Sequence, residues 1–439
     1  MLELKESRYN YRLHYDDLVL FFNGMTRQFI PVPLFLQEIV ESFLANPNKT
    51  SQESPRFLDK LKSTGLLIDK SIDEIEVIRE RHQQARNAAS YELILTLDEP
   101  FVHQNRSEIS LAENRSAMSE QVRQSIKRHL DRYVVQHHLQ QLQLEWLGKG
   151  VHQHLQHEIK EISEYAVNVC QANKVDFQIG ITTHYLSFKE QDVALLKKLP
   201  VRSIRLLLDL SNQGKQHVAK EEVVVTFLTH LKQLVTSLPD VLFILLIQSD
   251  IQSFDFQSFI QSMNEQFSEQ ERVNISVFVH DELSASRQNG ASLREDMLRR
   301  LYQSGYNQQW EDLLPMLCSG EKKHAYTMYG EGSVGKCAVS FNQTAPGYVT
   351  THGNVFWDET TTRMDSDIPF FENMRCLSCK HLPLCMGQCI PIQRIQGENK
   401  VVASSDCLLP PWGISPESAI RNYCSSMMEH YVDDDKSEL

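Results

Sequence analysis

Cys376-Leu-Ser-Cys379-Lys-His-Leu-Pro-Leu-Cys385-Met-Gly-Gln-Cys389 gathers four of the nine cysteines of the chain into a C-x2-C-x5-C-x3-C run. Cys337 lies upstream and Cys407 downstream. Thiolates at such short spacing suit a soft metal, because each short loop can aim two sulfurs at one centre. A disulfide framework is the rival reading. It belongs to small secreted domains, whereas this chain has 439 residues and opens on Met1-Leu-Glu-Leu-Lys-Glu-Ser-Arg8, with no apolar signal segment. Around the run, Gly, Pro and Cys become frequent between Gly330 and Pro411 and helical periodicity fades. Residues 321–439 therefore read as a cysteine-rich domain in which a metal core substitutes for a hydrophobic one.

Working upstream, strand and helix patterns alternate. The predicted strands are Glu92-Leu-Ile-Leu-Thr-Leu97, Gln141-Leu-Gln-Leu-Glu-Trp146, Phe177-Gln-Ile-Gly-Ile-Thr182, Ile204-Arg-Leu-Leu-Leu-Asp209, Val241 to Ile247 and Asn274-Ile-Ser-Val-Phe-Val-His280. Helical patterns separate them, among them Gln121 to Leu139, Ile159 to Ala172 and Ala219 to Leu238. Six such units in a row imply an α/β fold over residues 91–320, with a parallel sheet either open or curved into a partial (β/α)6 barrel. Ligands on such sheets gather at the C-terminal ends of the strands.

Residues 1–70 read as a small α+β module. Two strands are expected at Arg8 to Tyr15 and Asp17 to Asn23, with Asn23-Gly24 as a tight-turn signal and Arg27 to Pro31 pairing back. Pro33 opens a helix carrying Leu34, Phe35, Ile39, Val40, Phe43 and Leu44 at helical spacing. A second helix has Ser54 at its N-cap, Pro55 at its first position and Gly65 at its end. This layout resembles the small winged-helix peptide-recognition modules of peptide-modification systems; a capping subdomain without a ligand is the alternative. Residues 71–90 then form a connecting helix, opened by Ser71-Ile-Asp-Glu74 as a capping box.

Composition narrows the function classes. Hydrophobic residues make up 41% and charged residues 23%, as in a globular protein with room for two or three domains. No apolar run is long enough to span a bilayer, so a membrane role is not expected. A formal net charge of -13 would repel a phosphate backbone, which argues against nucleic acid as a partner. The acidic end, Asp433 to Leu439, reads as a solvated tail. A reducing, cytoplasmic setting is the expectation, and it suits metal-bound thiolates.

The six β/α units and the cysteine pattern together resemble the radical SAM maturases that carry a C-terminal SPASM domain. That family's tail reads C, nine to fifteen residues, G-x4-C, then C-x2-C-x5-C-x3-C, then a last C. Here Cys337 is followed by fifteen residues and Gly353, and four more reach Asp358, where the family has cysteine. Cys376, Cys379, Cys385 and Cys389 match the central run, and Cys407 the last position. The resemblance implies that Cys376, Cys379, Cys385 and Cys407 hold one [4Fe-4S] cluster. Cys337, Cys389 and Asp358 would belong to a second auxiliary cluster that is labile, altered or lost, since carboxylate is a harder and weaker partner than thiolate. Zinc is the alternative metal, because four thiolates suit it equally well.

The chemistry upstream departs from the family. Its C-x3-C-x2-C after the first barrel strand chelates S-adenosylmethionine through an open iron. Here that strand runs into Asp98-Glu-Pro-Phe-Val-His-Gln-Asn105, and no cysteine occurs before Cys170. The second-strand W-x-G-G-E-P appears as Trp146-Leu-Gly-Lys-Gly-Val151, the third-strand T-N-G as Thr182-Thr-His184, and the fourth-strand L-D-G as Leu208-Asp-Leu-Ser211. The chain thus reads as a degenerate, or pseudo, radical SAM protein with no S-adenosylmethionine expected. The functional expectation is a non-catalytic accessory or scaffold that binds a substrate peptide, a partner maturation enzyme, or both; the oligomeric state stays open. The alternative is an iron-sulfur enzyme that modifies peptides by redox or Lewis-acid chemistry at an auxiliary cluster.

Other residues read more plainly. Cys170 is expected to pack as a small hydrophobe in a helix. Cys318 and Cys424 fall outside the cysteine pattern and are at most replacement ligands. His152, His154 and His157 read as solvated helix histidines rather than a metal or anion site. Asp98 and Glu99 fit an N-cap role better than contact with a basic peptide. Gly330-Glu-Gly-Ser-Val-Gly-Lys336 has the glycines of a phosphate loop without its strand-loop-helix setting.

Overall fold

The structure is a computed structural model. It describes residues 3–15, 17–97, 118–148, 150–183, 188–209, 220–250, 255–267, 273–280, 319–336, 347–357 and 369–387, and positions 297, 300, 301, 304, 306, 317, 417, 420, 421, 423 and 424. The chain divides into two compact units: Met1–Ala85 with Gln309–Leu317 and Ile368–Leu439, and Arg86–Gln308 with Cys318–Asp367. No helix among the described residues is long and apolar enough to cross a membrane.

The first unit begins with β1 (Leu4–Glu6), β2 (Asn10–Tyr15), β3 (Leu18–Asn23), β4 (Phe29–Pro33), α1 (Gln37–Ala45), α2 (Pro47–Glu53), α3 (Pro55–Ser63), β5 (Leu67–Asp69) and α4 (Glu74–Arg86). Strands β2, β3 and β4 form an antiparallel sheet, and β1 pairs antiparallel with β5. One sheet face packs Val19, Phe21, Ile30 and Val32 on Val40, Leu44 and Leu61 of the helices. The other face packs Tyr11, Leu13, Leu20 and Phe22 on Leu384, Ile420 and Cys424. Burial on both faces explains why Leu18 to Phe22 is a continuous apolar run instead of an alternating one.

Two local expectations change. The Asn23-Gly24 turn is not a two-residue turn: Asn23 Oδ1 accepts from the N–H of Met25 at 3.0 Å and Thr26 at 2.9 Å, and Arg27 carries the left-handed φ of +59°. The asparagine side chain imitates a backbone turn and lengthens the loop. The capping box at Ser71 does not form. The Ser71 hydroxyl bonds Asp69 at 2.6 Å, and Asp73 Oδ1 caps α4 by accepting from Ile75 N–H at 2.9 Å. Glu74 is drawn away, taking Ser7 Oγ at 2.5 Å and Arg8 N–H at 3.1 Å.

The second unit holds β6 (Ser90–Thr96), α5 (Glu120–Gln136), β7 (Gln141–Leu147), α6 (Val151–His154), a π turn at Leu155–Ile159, α7 (Lys160–Asn173), β8 (Asp176–Thr183), α8 (Glu190–Leu196), β9 (Val201–Asp209), α9 (Lys220–Ser237), β10 (Leu242–Asp250), α10 (Phe256–Gln266), β11 (Val273–His280), β12 (Ala325–Tyr329), β13 (Ser333–Gly335), β14 (Gly347–Val349) and β15 (Val355–Trp357). These strands form one sheet in the order β11-β10-β9-β8-β7-β6-β12-β13-β14-β15. All six expected strands, β6 to β11, pair in parallel and in chain order.

The sheet is mixed rather than purely parallel. Strand β12 joins parallel to β6, and β13, β14 and β15 follow antiparallel, so strands from the glycine- and cysteine-rich stretch extend it. One sheet face carries helices: Tyr91 on β6 reaches His129 on α5, and Trp146 on β7 donates to Ser163 Oγ on α7 at 3.0 Å. The opposite face presents Glu92, Thr96, Gln143, Glu145, Thr182 and Arg205 by strand alternation.

Candidate metal centre

The described cysteines of the run sit on two one-turn helices, Met374–Ser378 and Leu382–Cys385. Asn373 caps the first, its Oδ1 accepting from Cys376 N–H at 2.9 Å. The turn closes with Cys379 N–H on the Cys376 carbonyl at 3.0 Å. Cys379 Sγ then accepts from the N–H of His381 at 3.4 Å, and Cys385 Sγ donates to the Gly387 carbonyl at 3.5 Å. After Cys385 the chain reverses through Met386 and Gly387, with φ of +53° and +91°. A Cβ at Gly387 would stand 2.8 Å from the Phe371 nitrogen, so this position needs glycine.

Residues from the other end of the chain support this segment. Tyr9, Ile78, Phe371, Leu382 and Met386 form one buried cluster, with Cys376 and Leu377 packed on it. Arg8 Nη2 donates to the Leu377 carbonyl at 2.8 Å, and Tyr11 Oη donates to the Lys380 carbonyl at 3.0 Å. Lys380 Nζ lies 4.3 Å from the centre of the Tyr11 ring. Arg79 clamps Glu372 through Nε at 2.6 Å and Nη2 at 3.1 Å. Tyr9 Oη is buried and has no hydrogen-bond partner among the described residues.

The segment carries three thiols, an N–H that donates to one of their sulfurs, and the neighbouring cations Arg8 and Lys380. Among the described residues no three His, Cys, Asp or Glu side chains come together as a ligand set. Cys337, Asp358, Cys389 and Cys407 lie outside the described residues, as do Cys318, Asp98 and Glu99. No disulfide joins any two of the described cysteines.

Gly353, the glycine of the cysteine pattern, belongs to the second unit, in the turn between β14 and β15. Its φ is +81°, and a Cβ there would stand 2.4 Å from the His129 nitrogen. Helix α5 grips this turn. His129 Nδ1 donates to the Gly353 carbonyl at 2.9 Å, Arg132 Nη1 donates to Asn354 Oδ1 at 3.0 Å, and Arg128 bonds the Thr351 carbonyl. With Nδ1 donating, His129 Nε2 accepts from Tyr91 Oη at 2.8 Å. Burial holds His129 neutral, with its pKa pushed down to about 4. These partners were invisible in the sequence, because nothing local to α5 marks a residue that serves a distant turn.

A second polar site lies on the face of the large sheet opposite Tyr91 and Trp146. Glu145 Oε1 is 2.9 Å from Arg205 Nη1 and accepts from Thr182 Oγ1 at 2.6 Å. Glu145 Oε2 is buried without a hydrogen-bond partner among the described residues, over Gly180, where a Cβ would stand 1.8 Å from it. Sequence reading singled out Trp146 and Thr182 and missed Glu145 and Arg205. The available signal was the alternation of Gln143 and Glu145 with Leu144 and Trp146 on β7.

Among the remaining expectations, His154 is not solvated: its Nδ1 pairs with the buried Glu158 at 3.2 Å, across the π turn. Cys170 and Cys424 are buried at 1% and 0% exposure, and burial pushes both thiols up, Cys170 to about 12. Gly330 to Gly332 forms the turn between β12 and β13, with Lys336 Nζ donating to the carbonyls of Lys322 and Lys323 at 3.1 Å each. A groove of about 520 Å³ between α8 and α9 is lined by Phe188, Val193, Lys197, His230 and Leu234, and it holds no cysteine.

No family model matches the chain, and no curated protein matches it. Among solved structures it is similar to Streptococcus suis SuiB, with 14% identity and a TM-score of 0.42 over 92% of this chain and 100% of that one. It is similar to SuiB bound to precursor peptide SuiA, with 15% identity and a TM-score of 0.41 over 90% of this chain and 97% of that one. It is also similar to native anSMEcpe with bound AdoMet and Cp18Cys peptide, with 10% identity and a TM-score of 0.45 over 78% of this chain and 97% of that one.

Proposed function

We propose that this chain is a metal-bearing accessory or scaffold protein of ribosomal peptide maturation, built on a degenerate radical SAM-type partial barrel with a SPASM-like tail. It binds a substrate peptide or a partner enzyme, in a cytoplasmic setting, and does not cleave S-adenosylmethionine. One observation carries this reading. The first parallel strand leads into Asp98 to Asn105 without a cysteine, while the tail keeps the run of Cys376, Cys379, Cys385 and Cys389. Radical initiation needs three thiolates to leave one iron open; a structural cluster or zinc site needs only the tail.

On this reading Cys376, Cys379, Cys385 and Cys407 hold one [4Fe-4S] cluster, or zinc in its place, which keeps the C-terminal segment rigid against the N-terminal module. That module, residues 1–70, serves peptide recognition or capping. The test is anaerobic purification followed by iron, sulfide and zinc analysis, then incubation with S-adenosylmethionine and a strong reductant. Metal near one site per chain without release of 5′-deoxyadenosine supports the proposal. Sustained release of 5′-deoxyadenosine by the pure protein would sink it.

A further inference from the structure

Tyr91 and His129 are buried at 1% and 2% exposure, and Tyr91 Oη lies 2.8 Å from His129 Nε2. The direction of that bond is set from the far side of the ring. The Gly353 carbonyl, 2.9 Å from Nδ1, can only accept, so Nδ1 carries the proton and Nε2 turns a lone pair to the phenol. The pair opens onto a series of oxidisable rings. The Tyr91 ring centre lies 4.4 Å from that of Tyr133 and 5.8 Å from that of Tyr326. Tyr326 in turn lies 5.7 Å from Trp357, which is only partly buried on β15. Tyr133 Oη has an imidazole of its own, 2.8 Å from His324 Nδ1.

We propose that Tyr91 is a redox-active tyrosine, with His129 as its built-in proton acceptor and Tyr326 and Trp357 as the route by which an electron leaves. The oxidant is a one-electron acceptor at the protein surface, of the class of organic peroxyl radicals. The peroxyl radical takes one electron through Trp357 and one proton from solvent, giving a hydroperoxide. Tyr91 supplies the electron. Its O–H bond breaks, the proton passes along the existing hydrogen bond to His129 Nε2, and a neutral tyrosyl radical faces an imidazolium. A thiol reverses the step: it gives up one electron, its own proton goes to solvent, and the imidazolium returns the held proton to Tyr91. Burial lifts the Tyr91 hydroxyl well above its usual range and holds His129 down to about 4, so both are neutral at rest. An oxidised phenol is far more acidic than a resting one, which lets even this weak base take its proton. Every group in the relay belongs to the second unit, and the inference does not depend on the metal-centre reading.

The test oxidises the full-length protein at pH 7.5 with photogenerated ruthenium(III) tris-bipyridine, using a cobalt(III) ammine as the sacrificial acceptor, and follows the radical by electron paramagnetic resonance. The chain has 14 tyrosines, so the assignment is made with variants. Tyr91→Phe, which keeps the packed ring and removes one oxygen, is expected to lower the long-lived tyrosyl signal several-fold. Trp357→Phe is expected to slow its appearance. An equal signal in Tyr91→Phe would overturn the proposal, as would wild-type protein that forms no tyrosyl radical; an unchanged rate in Trp357→Phe would overturn the route. Wild type alone gives a second reading should Tyr91→Phe fail to fold. Electron-nuclear double resonance in heavy water is expected to show an exchangeable deuteron held by His129 at the radical oxygen, and its absence would overturn the pairing.

Discussion

Nδ1 of His129 lies 2.9 Å from the carbonyl oxygen of Gly353, joining α5 to the β14–β15 turn across 224 positions of sequence. The ring is a two-ended clamp, since its other nitrogen takes the Tyr91 hydroxyl. A nearby pair repeats the theme, with Tyr133 Oη 2.8 Å from His324 Nδ1. Two elements far apart in sequence are thus held by neutral imidazoles in a dry setting, where unpaired polar groups would be costly.

That clamp makes stability depend on pH. Burial depresses the pKa of His129 and of His324 from 6.5 to about 4 in the fold. As pH falls below 6.5 the unfolded chain takes up these protons first, so stability is full above 6.5 and drains away between 6.5 and 4. For His129 alone the loss reaches roughly 3 kcal/mol by linkage. Urea unfolding at pH 7.5 and pH 5 measures it, and His129→Gln is expected to flatten the pH slope.

Gly353→Ala is expected to cost roughly 1–3 kcal/mol, because it adds a left-handed backbone penalty to a steric one. The added Cβ would meet the His129 nitrogen at 2.4 Å. Thermal melting monitored on the aromatic cluster of Tyr91, Tyr133 and Tyr326 reads the effect. A melting temperature equal to wild type would contradict the described packing.

The two rival caps of α4 separate cleanly. Asp73→Ala removes the acceptor of Ile75 N–H and should cost about 1 kcal/mol, whereas Ser71→Ala should stay within about 0.5 kcal/mol. Denaturant midpoints of the two variants decide between a helix starting at Glu74 and one capped from Ser71.

Arg205→Met strands the Glu145 carboxylate, whose side chain is 10% exposed, and should destabilise by roughly 2 kcal/mol. Adding Glu145→Gln to that variant should recover most of the loss, since a neutral amide has less to desolvate. A double variant no better than the single one would show that the pair does not act as a unit.

Cysteine variants sort the thiols by role. Cys376→Ser, Cys379→Ser and Cys385→Ser are each expected to lower metal per chain several-fold. Cys170→Ala and Cys424→Ala should keep wild-type metal and lose about 1 kcal/mol of packing each. Elemental analysis of the purified variants distinguishes the two groups.

Much of this was legible because it is local. Strand positions β6 to β11 followed from apolar runs bounded by turns, and α5, α7 and α9 from their 3.6-residue periods. Pro55 and Gly65 marked the ends of α3 by backbone restriction alone. Ser71 misled because a capping box is only an option: Glu74 had a better partner in Ser7 and Arg8, which are distant in sequence and adjacent in the fold. The Asn23-Gly24 signal failed for a related reason, since Asn23 Nδ2 is also engaged by the Gly65 carbonyl at 2.9 Å, which fixes the side chain across the turn.

By itself the sequence determined the period and order of the elements, the thiol spacing at Cys376, Cys379 and Cys385, and the absence of cysteine before Cys170. Each of these depends only on neighbouring residues and on side-chain chemistry. Only the tertiary structure decided that Tyr9 and Arg8 support the cysteine segment, that His129 holds the Gly353 turn, and that Glu145 meets Arg205 across β8. Those pairings arise from burial, which selects whichever distant group satisfies a polar atom removed from water, and no local pattern records that choice.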